Sequence, residues 1–259
     1  MKSKVIAIAN QKGGVGKTTT AISFASALAK QGKKVLLIDF DPQGSLTIGL
    51  GIHDTAALEH TSASLLIDNI NEQAADPIKY INTSSAIPFI PGNIVLSSVE
   101  VQLVNVIGRE MVLKEALEPF RNLFDYIIID CMPSLGFLTI NALTAADSVI
   151  IPVQAHFLGA KGLEDFSSTL RKVKKINPSL SIDGILITMF NKQLNFSKGI
   201  VQAIKTTYGE SIHIFDTKIP ISIKAAETTA MGQSILDYSP KNPVAVAYQE
   251  FAKEWLRNG

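Results

Sequence analysis

Five short runs of consecutive apolar, mostly β-branched residues punctuate the chain: Val5-Ile6-Ala7-Ile8, Val35-Leu36-Leu37-Ile38, Tyr126-Ile127-Ile128-Ile129, Val149 to Val153, and Ile185-Leu186-Ile187. None alternates apolar with polar positions. Each therefore reads as a strand covered on both faces, the condition of a mostly parallel sheet held between helices. Elsewhere the apolar spacing lengthens to three and four, as in Leu163, Phe166, Leu170 and Val173, and again in Tyr248, Phe251 and Trp255 with Leu256 one residue on. That period predicts amphipathic helices, so the chain reads as a doubly wound α/β fold. From Gly49 to about Pro91 the pattern breaks, with Asn, Asp, Ser and Pro scattered through it. This stretch is expected to be an elaborated surface crossover, leaving residues 1–259 as one domain.

Composition narrows the chemistry by exclusion. With 46% hydrophobic and 18% charged residues in 259, the chain can bury one sizeable core. Cys131 is the single cysteine, so neither an internal disulfide nor a paired-cysteine metal clip is available. His53, His60, His156 and His213 show no metal-ligand spacing. The net charge of +1 favours neither nucleic acid nor an anionic membrane globally. No run approaches the roughly 20 apolar residues of a membrane span. A strand and a glycine-rich loop follow Met1 directly, leaving no room for a secretory signal, and the expected location is cytoplasmic.

The first apolar run leads into Asn10-Gln11-Lys12-Gly13-Gly14-Val15-Gly16-Lys17-Thr18-Thr19-Thr20, and a helical pattern follows from Ala21 to Lys30. Strand, glycine-rich loop and helix start are the context of a phosphate-binding loop. Glycines let backbone N–H groups turn toward phosphate oxygens, and the helix N-terminus adds positive potential. Lys17 then reaches the β- and γ-phosphates, and the Thr18 hydroxyl suits Mg²⁺. The usual spacing would put glycine at position 11, where this chain has Gln11, followed by a second lysine, Lys12.

With that second lysine the loop resembles the deviant Walker A ATPases of the ParA/Soj/MinD type, whose hallmark is KGGxGKT. The resemblance continues through Asp39-Phe40-Asp41-Pro42-Gln43-Gly44, similar to the family's first switch, and through Asp125 to Gly136, similar to its Walker B strand and second switch with Met132 in place of a proline. Ile219-Pro220, Glu227 and the segment Ala247 to Lys253 echo the family's C-terminal third. The fold implied is that of a P-loop NTPase, and the activity is Mg-dependent ATP hydrolysis. Lys12 would cross a homodimer interface to the other subunit's nucleotide. Lys12, Gly13, Gly14, Val15, Gly16, Lys17, Thr18 and Thr19 would hold phosphates, and Asn191 and Pro220 the adenine.

Hydrolysis needs phosphate charge neutralised and a water placed in line. Asp41 is the candidate for positioning that water, with Thr18, Asp39 and Asp130 holding Mg²⁺ and Lys12 and Lys17 completing the catalytic set. Taken alone, Asp39 and Asp41 also read as a turn and helix-cap pair after a strand.

Charge along the chain is uneven: residues 161–224 hold 10 basic and 5 acidic side chains. Arg171, Lys172, Lys174 and Lys175 crowd the end of one helical pattern. They suit either the helix dipole or a DNA backbone. The resemblance implies nonspecific double-stranded DNA binding through two C-terminal loops, whose matching positions here are Gln193 and Lys224. It further implies an ATP-dependent homodimer at the nucleoid and a ParB-type centromere-binding partner that stimulates hydrolysis. No membrane partner is expected, because Lys253 and Arg257 near the chain end are offset by Glu250 and Glu254. A MinD-like positioning ATPase and a metabolite ligase of the same fold are the competing readings.

Overall fold

The computed structural model describes residues 2–73 and 76–258. Each of the five apolar runs forms a strand, and two further strands join them. In chain order they are β1 (Lys4–Ile8), β2 (Val35–Phe40), β3 (Phe89–Ile90), β4 (Tyr126–Cys131), β5 (Ser148–Gln154), β6 (Ser181–Phe190) and β7 (Ile214–Pro220). They make one sheet in the order β3-β2-β4-β1-β5-β6-β7, with every neighbouring pair parallel.

Both strands that the apolar pattern missed lie at the sheet edges, where only one neighbour and partial cover are available. β3 is two residues long, and β7 carries Asp216, Thr217 and Lys218 in its middle. Edge strands tolerate polar residues that a central strand excludes.

Alternate residues of the central strands supply two cores. Val5, Ala7, Leu36, Ile38, Ile127 and Ile129 face one helical layer, while Ile6, Ile8, Leu37 and Ile128 face the other. Helix Phe157–Val173 buries Leu163, Phe166, Leu170 and Val173 in the first. Helices Lys17–Ala29 and Pro243–Asn258 fill the second, where Phe24 lies 5.0 Å from Phe251 and 5.3 Å from Trp255. Full burial of each such side chain contributes about 1.5–3 kcal/mol.

Polar bonds then fix the last helix. Glu254 accepts from the Asp216 and Thr217 amides at 2.6 and 2.9 Å, and Trp255 Nε1 donates to Asp183 at 2.7 Å. Its apolar stripe is thus spent on the core. Among the described residues no helix is long and apolar enough to cross a membrane.

The irregular stretch is more than a surface crossover. Helix Ser62–Ile70 opens with a capping box between Thr61 and Ser64 and buries Ala63, Leu65 and Leu66. The chain then returns as β3 and brings Gly92 against the end of β2.

Candidate functional site

The ends of β1, β2 and β4 converge where the strand order reverses direction, the place where open α/β sheets bind ligands. β1 stops at Ile8, and the loop that follows ends at Gly16, which caps helix Lys17–Ala29 without any side-chain bond to its first amides. Gly14 and Gly16 hold φ of +71° and +84°, values that favour glycine. A Cβ added at Gly13, Gly14 or Gly16 would meet nothing within 4 Å among the described residues. The loop therefore offers free amides around open space, which a phosphate fits.

Its shape is held from outside. Asn10 Nδ2 donates to the Pro152 carbonyl at 2.8 Å while its Oδ1 accepts from the Lys12 amide at 3.0 Å. Thr188 of β6 donates to the Val15 carbonyl at 2.8 Å. Gln11 buries an Oε1 that has no partner among the described residues. Lys17, only 7% exposed, folds back so that Nζ donates to the Lys12 carbonyl at 3.1 Å. Burial lowers its pKa, while the carboxylate of Asp130 and then the Cys131 and Asp41 side chains pull it upward. Lys12, Thr18 and Thr19 are half-buried beside it.

Register places the two strand-end carboxylates together: Asp39 of β2 pairs with Asp130 of β4, and Ile8 of β1 pairs with Asp130 from the other side. Asp130 is 1% exposed, and although the Thr18 hydroxyl lies near enough to favour its anion, neither carboxylate oxygen makes a well-formed hydrogen bond among the described residues. Burial drives its pKa well up and the Asp39 charge adds to this, against the Thr18 hydroxyl and Lys17, which favour the anion. An unpaired buried carboxylate is costly, and a cation beside Thr18 would satisfy it. Thr18 and Asp130 thus fit Mg²⁺, which keeps several waters and needs few protein ligands. Among the described residues no group of three or more His, Cys, Asp or Glu is placed to hold a metal ion by itself.

Asp39 is fully buried but well bonded. Its Oδ2 accepts from the Thr47 amide at 2.8 Å and the Thr47 hydroxyl at 2.6 Å. Burial pushes its pKa up to about 6, against those bonds. Asp41 is half-buried, and its Oδ1 accepts from the Gln43 amide at 2.9 Å. The turn expected from the bare sequence is present, therefore, and it occupies one oxygen of Asp41 while the Asp41 charge still acts on Lys17 and Asp130.

Beside the loop, Gly16 and Thr19 open into a cavity of about 360 Å³ walled by Met189, Ile219, Pro220 and Ile223. Its floor includes Tyr248, whose hydroxyl bonds Thr20 at 2.9 Å. Met189 adopts φ +50°, an unusual value for a non-glycine residue, where β6 meets this cavity. Pro220 is in the wall as expected. Asn191 lies on the far side of Pro220, in an adjoining groove of about 790 Å³, with its Oδ1 taken by the Gln193 amide at 2.9 Å. Apart from Pro220 the wall was missed by sequence reasoning: Met189, Ile219 and Ile223 are ordinary apolar residues without a motif.

The basic candidates do not form one surface. Helix Phe157–Val173 leaves the end of β5 and runs back along the sheet, so exposed Arg171, Lys172, Lys174 and Lys175 lie at the edge where the strands begin. Nearby Asn177 donates to the carbonyls of Leu143, Thr144 and Ala146, just before β5. Lys224 is exposed at the opposite edge, on helix Ile223–Met231, between cavity residues Ile223 and Ala225. The adjoining groove adds Lys192, Lys218 and Lys241 on that side.

Comparison with known proteins agrees with this geometry. A family model described as an AAA domain matches residues 3–182. The sporulation initiation inhibitor protein Soj of Bacillus subtilis is 43% identical over 259 residues, covering 99% of each chain. The chromosome partitioning protein ParA of Myxococcus xanthus is 38% identical, covering 98% of this chain and 88% of its own. Among solved structures, cobyrinic acid a,c-diamide synthase of Mycobacterium smegmatis, with bound ATP analogue and magnesium, superposes with a TM-score of 0.85 at 37% identity, covering 98% of this chain and 95% of its own.

Proposed function

The chain belongs to the AAA-domain family of Soj- and ParA-type P-loop ATPases, and on that premise we propose that it is an ATP-dependent dimerising switch for DNA partition. The observation that carries the reading is the open glycine loop with buried Lys17 on one side and orphaned Asp130 on the other. The pair asks for a ligand with phosphate at the amides and a divalent cation at the carboxylate. ATP with Mg²⁺ supplies both.

In this reading residues 1–259 work as one domain. Lys17 and the amides from Gly13 to Thr19 hold the β- and γ-phosphates, and the cavity walled by Pro220 takes the adenine, with Asn191 at its rim. Thr18, Asp130 and Asp39 hold Mg²⁺, which when bound neutralises phosphate charge. The free oxygen of Asp41 orients a water for attack on the γ-phosphate. Lys12 reaches the nucleotide of a second copy, so that ATP favours a homodimer.

The dimer binds double-stranded DNA without reading sequence, in the cytoplasm at the nucleoid. A ParB-type partner stimulates hydrolysis and releases it. Lys224 is the DNA contact best placed to feel the nucleotide, because its neighbours Ile223 and Ala225 wall the cavity. Arg171, Lys172, Lys174 and Lys175 form a second contact at the far edge. A membrane role is disfavoured because the last helix spends its apolar stripe in the core.

The test uses an Asp41→Ala variant, expected to bind ATP and accumulate dimer. Solution mass and affinity for random-sequence duplex DNA are measured with ATP and with ADP over a salt series. An ATP-dependent dimer whose DNA affinity falls steeply with salt is expected, and adding Lys224→Ala should lower the salt slope by about one. An ATP-dependent dimer indifferent to DNA would overturn the partition reading. Amidation of cobyrinic acid by the wild-type protein would put the metabolite-ligase reading in its place.

A further inference from the structure

Thr47 stands outside the phosphate loop and outside the Asp39 to Gly44 turn, and it is fully buried in helix Ser45–Gly49. Both its backbone N–H and its hydroxyl donate to Asp39 Oδ2, at 2.8 and 2.6 Å. The same hydroxyl accepts from the Gly92 amide at 2.8 Å. An amide can only donate, so the hydroxyl proton is directed to Asp39 and the bond has one polarity.

Gly92 closes the back of the carboxylate: a Cβ there would lie 2.8 Å from Asp39 Cγ. Ser62 donates to the Asp39 carbonyl at 2.6 Å. Thr47 alone thus bonds Oδ2, with Gly92 backing its hydroxyl and Ser62 holding the Asp39 main chain, and Oδ1 is left with only the Asp41 amide at 3.4 Å. Asp39 and Asp130 are register partners on adjacent strands, so a carboxylate held this way stays on the sheet face that carries Asp130.

We propose that Thr47 is a positioning residue for ATP turnover, holding Asp39 beside Asp130 and keeping the Asp41 turn closed. The proposal rests on the ATPase reading and deepens it. Deleting the hydroxyl lets the Asp39 carboxylate rotate, which loosens the magnesium shell and the water-orienting turn together without touching the phosphate loop. Partners of this kind usually matter 10- to 100-fold in metal affinity or activity.

The experiment compares Thr47→Val, which keeps the shape, with Thr47→Ser, which keeps the hydroxyl, in the full chain. Steady-state ATP hydrolysis is measured with DNA present, alongside titration of Mg²⁺ against a fluorescent ATP analogue. Thr47→Val is expected to lower kcat about tenfold with KM within about twofold, and to raise the Mg²⁺ requirement for tight analogue binding by a similar factor. Affinity for the analogue without Mg²⁺ should not change, and Thr47→Ser should restore both quantities to within about threefold. Damage in Thr47→Ser with Thr47→Val near wild type would reduce Thr47 to a packing methyl, and equal damage in both would show that the hydroxyl is not what matters; either outcome would overturn the proposal. So would a loss confined to KM, or a Mg²⁺ requirement that does not move. If the wild type fails to hydrolyse ATP, the ATPase reading falls, while the Mg²⁺ titration still decides the role of Thr47.

Discussion

The site has two sides that are built on different terms. On the phosphate side, at the ends of β1, β2 and β4, residue identity is dictated: glycine for φ near +70° to +84°, lysine for charge, carboxylates in register. On the base side, where β6 and β7 meet helix Ile223–Met231, the wall is apolar and its residues are interchangeable in kind. In the proposed reading the first side would bind nucleotide through directed hydrogen bonds and charge, and the second by shape and exclusion of water. One side should therefore fail abruptly when altered and the other gradually.

The largest break is expected from Lys17→Ala. Lys17 is held in a buried position beside Asp130, where a charge-assisted bond to phosphate is worth about 3 kcal/mol, or roughly 150-fold in affinity. Titration with fluorescent ATP and ADP analogues should show that loss for both nucleotides. Unchanged affinity would move the phosphate contact away from this loop.

Asp130→Asn should come next, with opposite effects on stability and binding. Removing an unpaired buried charge is expected to raise the thermal stability of the nucleotide-free protein by about 1–3 kcal/mol at neutral pH. The direction of the Asp130 shift sets the pH window. Its folded pKa lies above the unfolded value, so the folded state keeps a proton that the unfolded state releases. Wild-type stability from this group is therefore present in acid and falls as pH rises past the usual carboxylate range toward the raised folded value. The stability gap between Asp130→Asn and wild type should widen over that rise, as read by thermal melts across a pH series, and the Mg²⁺ dependence of ATP binding should weaken in the variant. A gap that narrows with pH would mean that Asp130 already has a partner.

The same contrast explains what could be read before folding. The central strands were legible because burial on both faces leaves an uninterrupted apolar run, and the phosphate loop because Gly14 and Gly16 need a left-handed backbone. Asp39 and Asp130 were visible as lone charges ending apolar strands, but their inequality was not. It follows from Thr47, which bonds the Asp39 carboxylate, and from Gly92, which bonds the Thr47 hydroxyl and packs against Asp39. β3 was hidden because two residues carry no period, and β7 because an edge position lets Asp216 and Lys218 into the strand. The separation of Lys224 from the Arg171 to Lys175 cluster depends on the direction of helix Phe157–Val173, which only the sheet order fixes.

The smallest effect is expected on the base side, and it sharpens the contrast best. Ile223 walls the cavity while remaining 82% exposed, so Ile223→Ala removes apolar wall without emptying the core. Losing about 30–40 Å² of contact with a bound base costs about 1 kcal/mol, roughly fivefold in affinity. Because the base is common to both nucleotides, ATP and ADP should weaken by the same factor, and GTP should not gain. Calorimetric titration of all three separates this outcome from a phosphate-side defect, which Asp130→Asn should show as a change in the ATP-to-ADP ratio. If Ile223→Ala changed that ratio instead, helix Ile223–Met231 would be sensing the γ-phosphate. Its packing against the Ser45–Gly49 helix, where Gly232 meets Gly51 backbone to backbone, would then be the route.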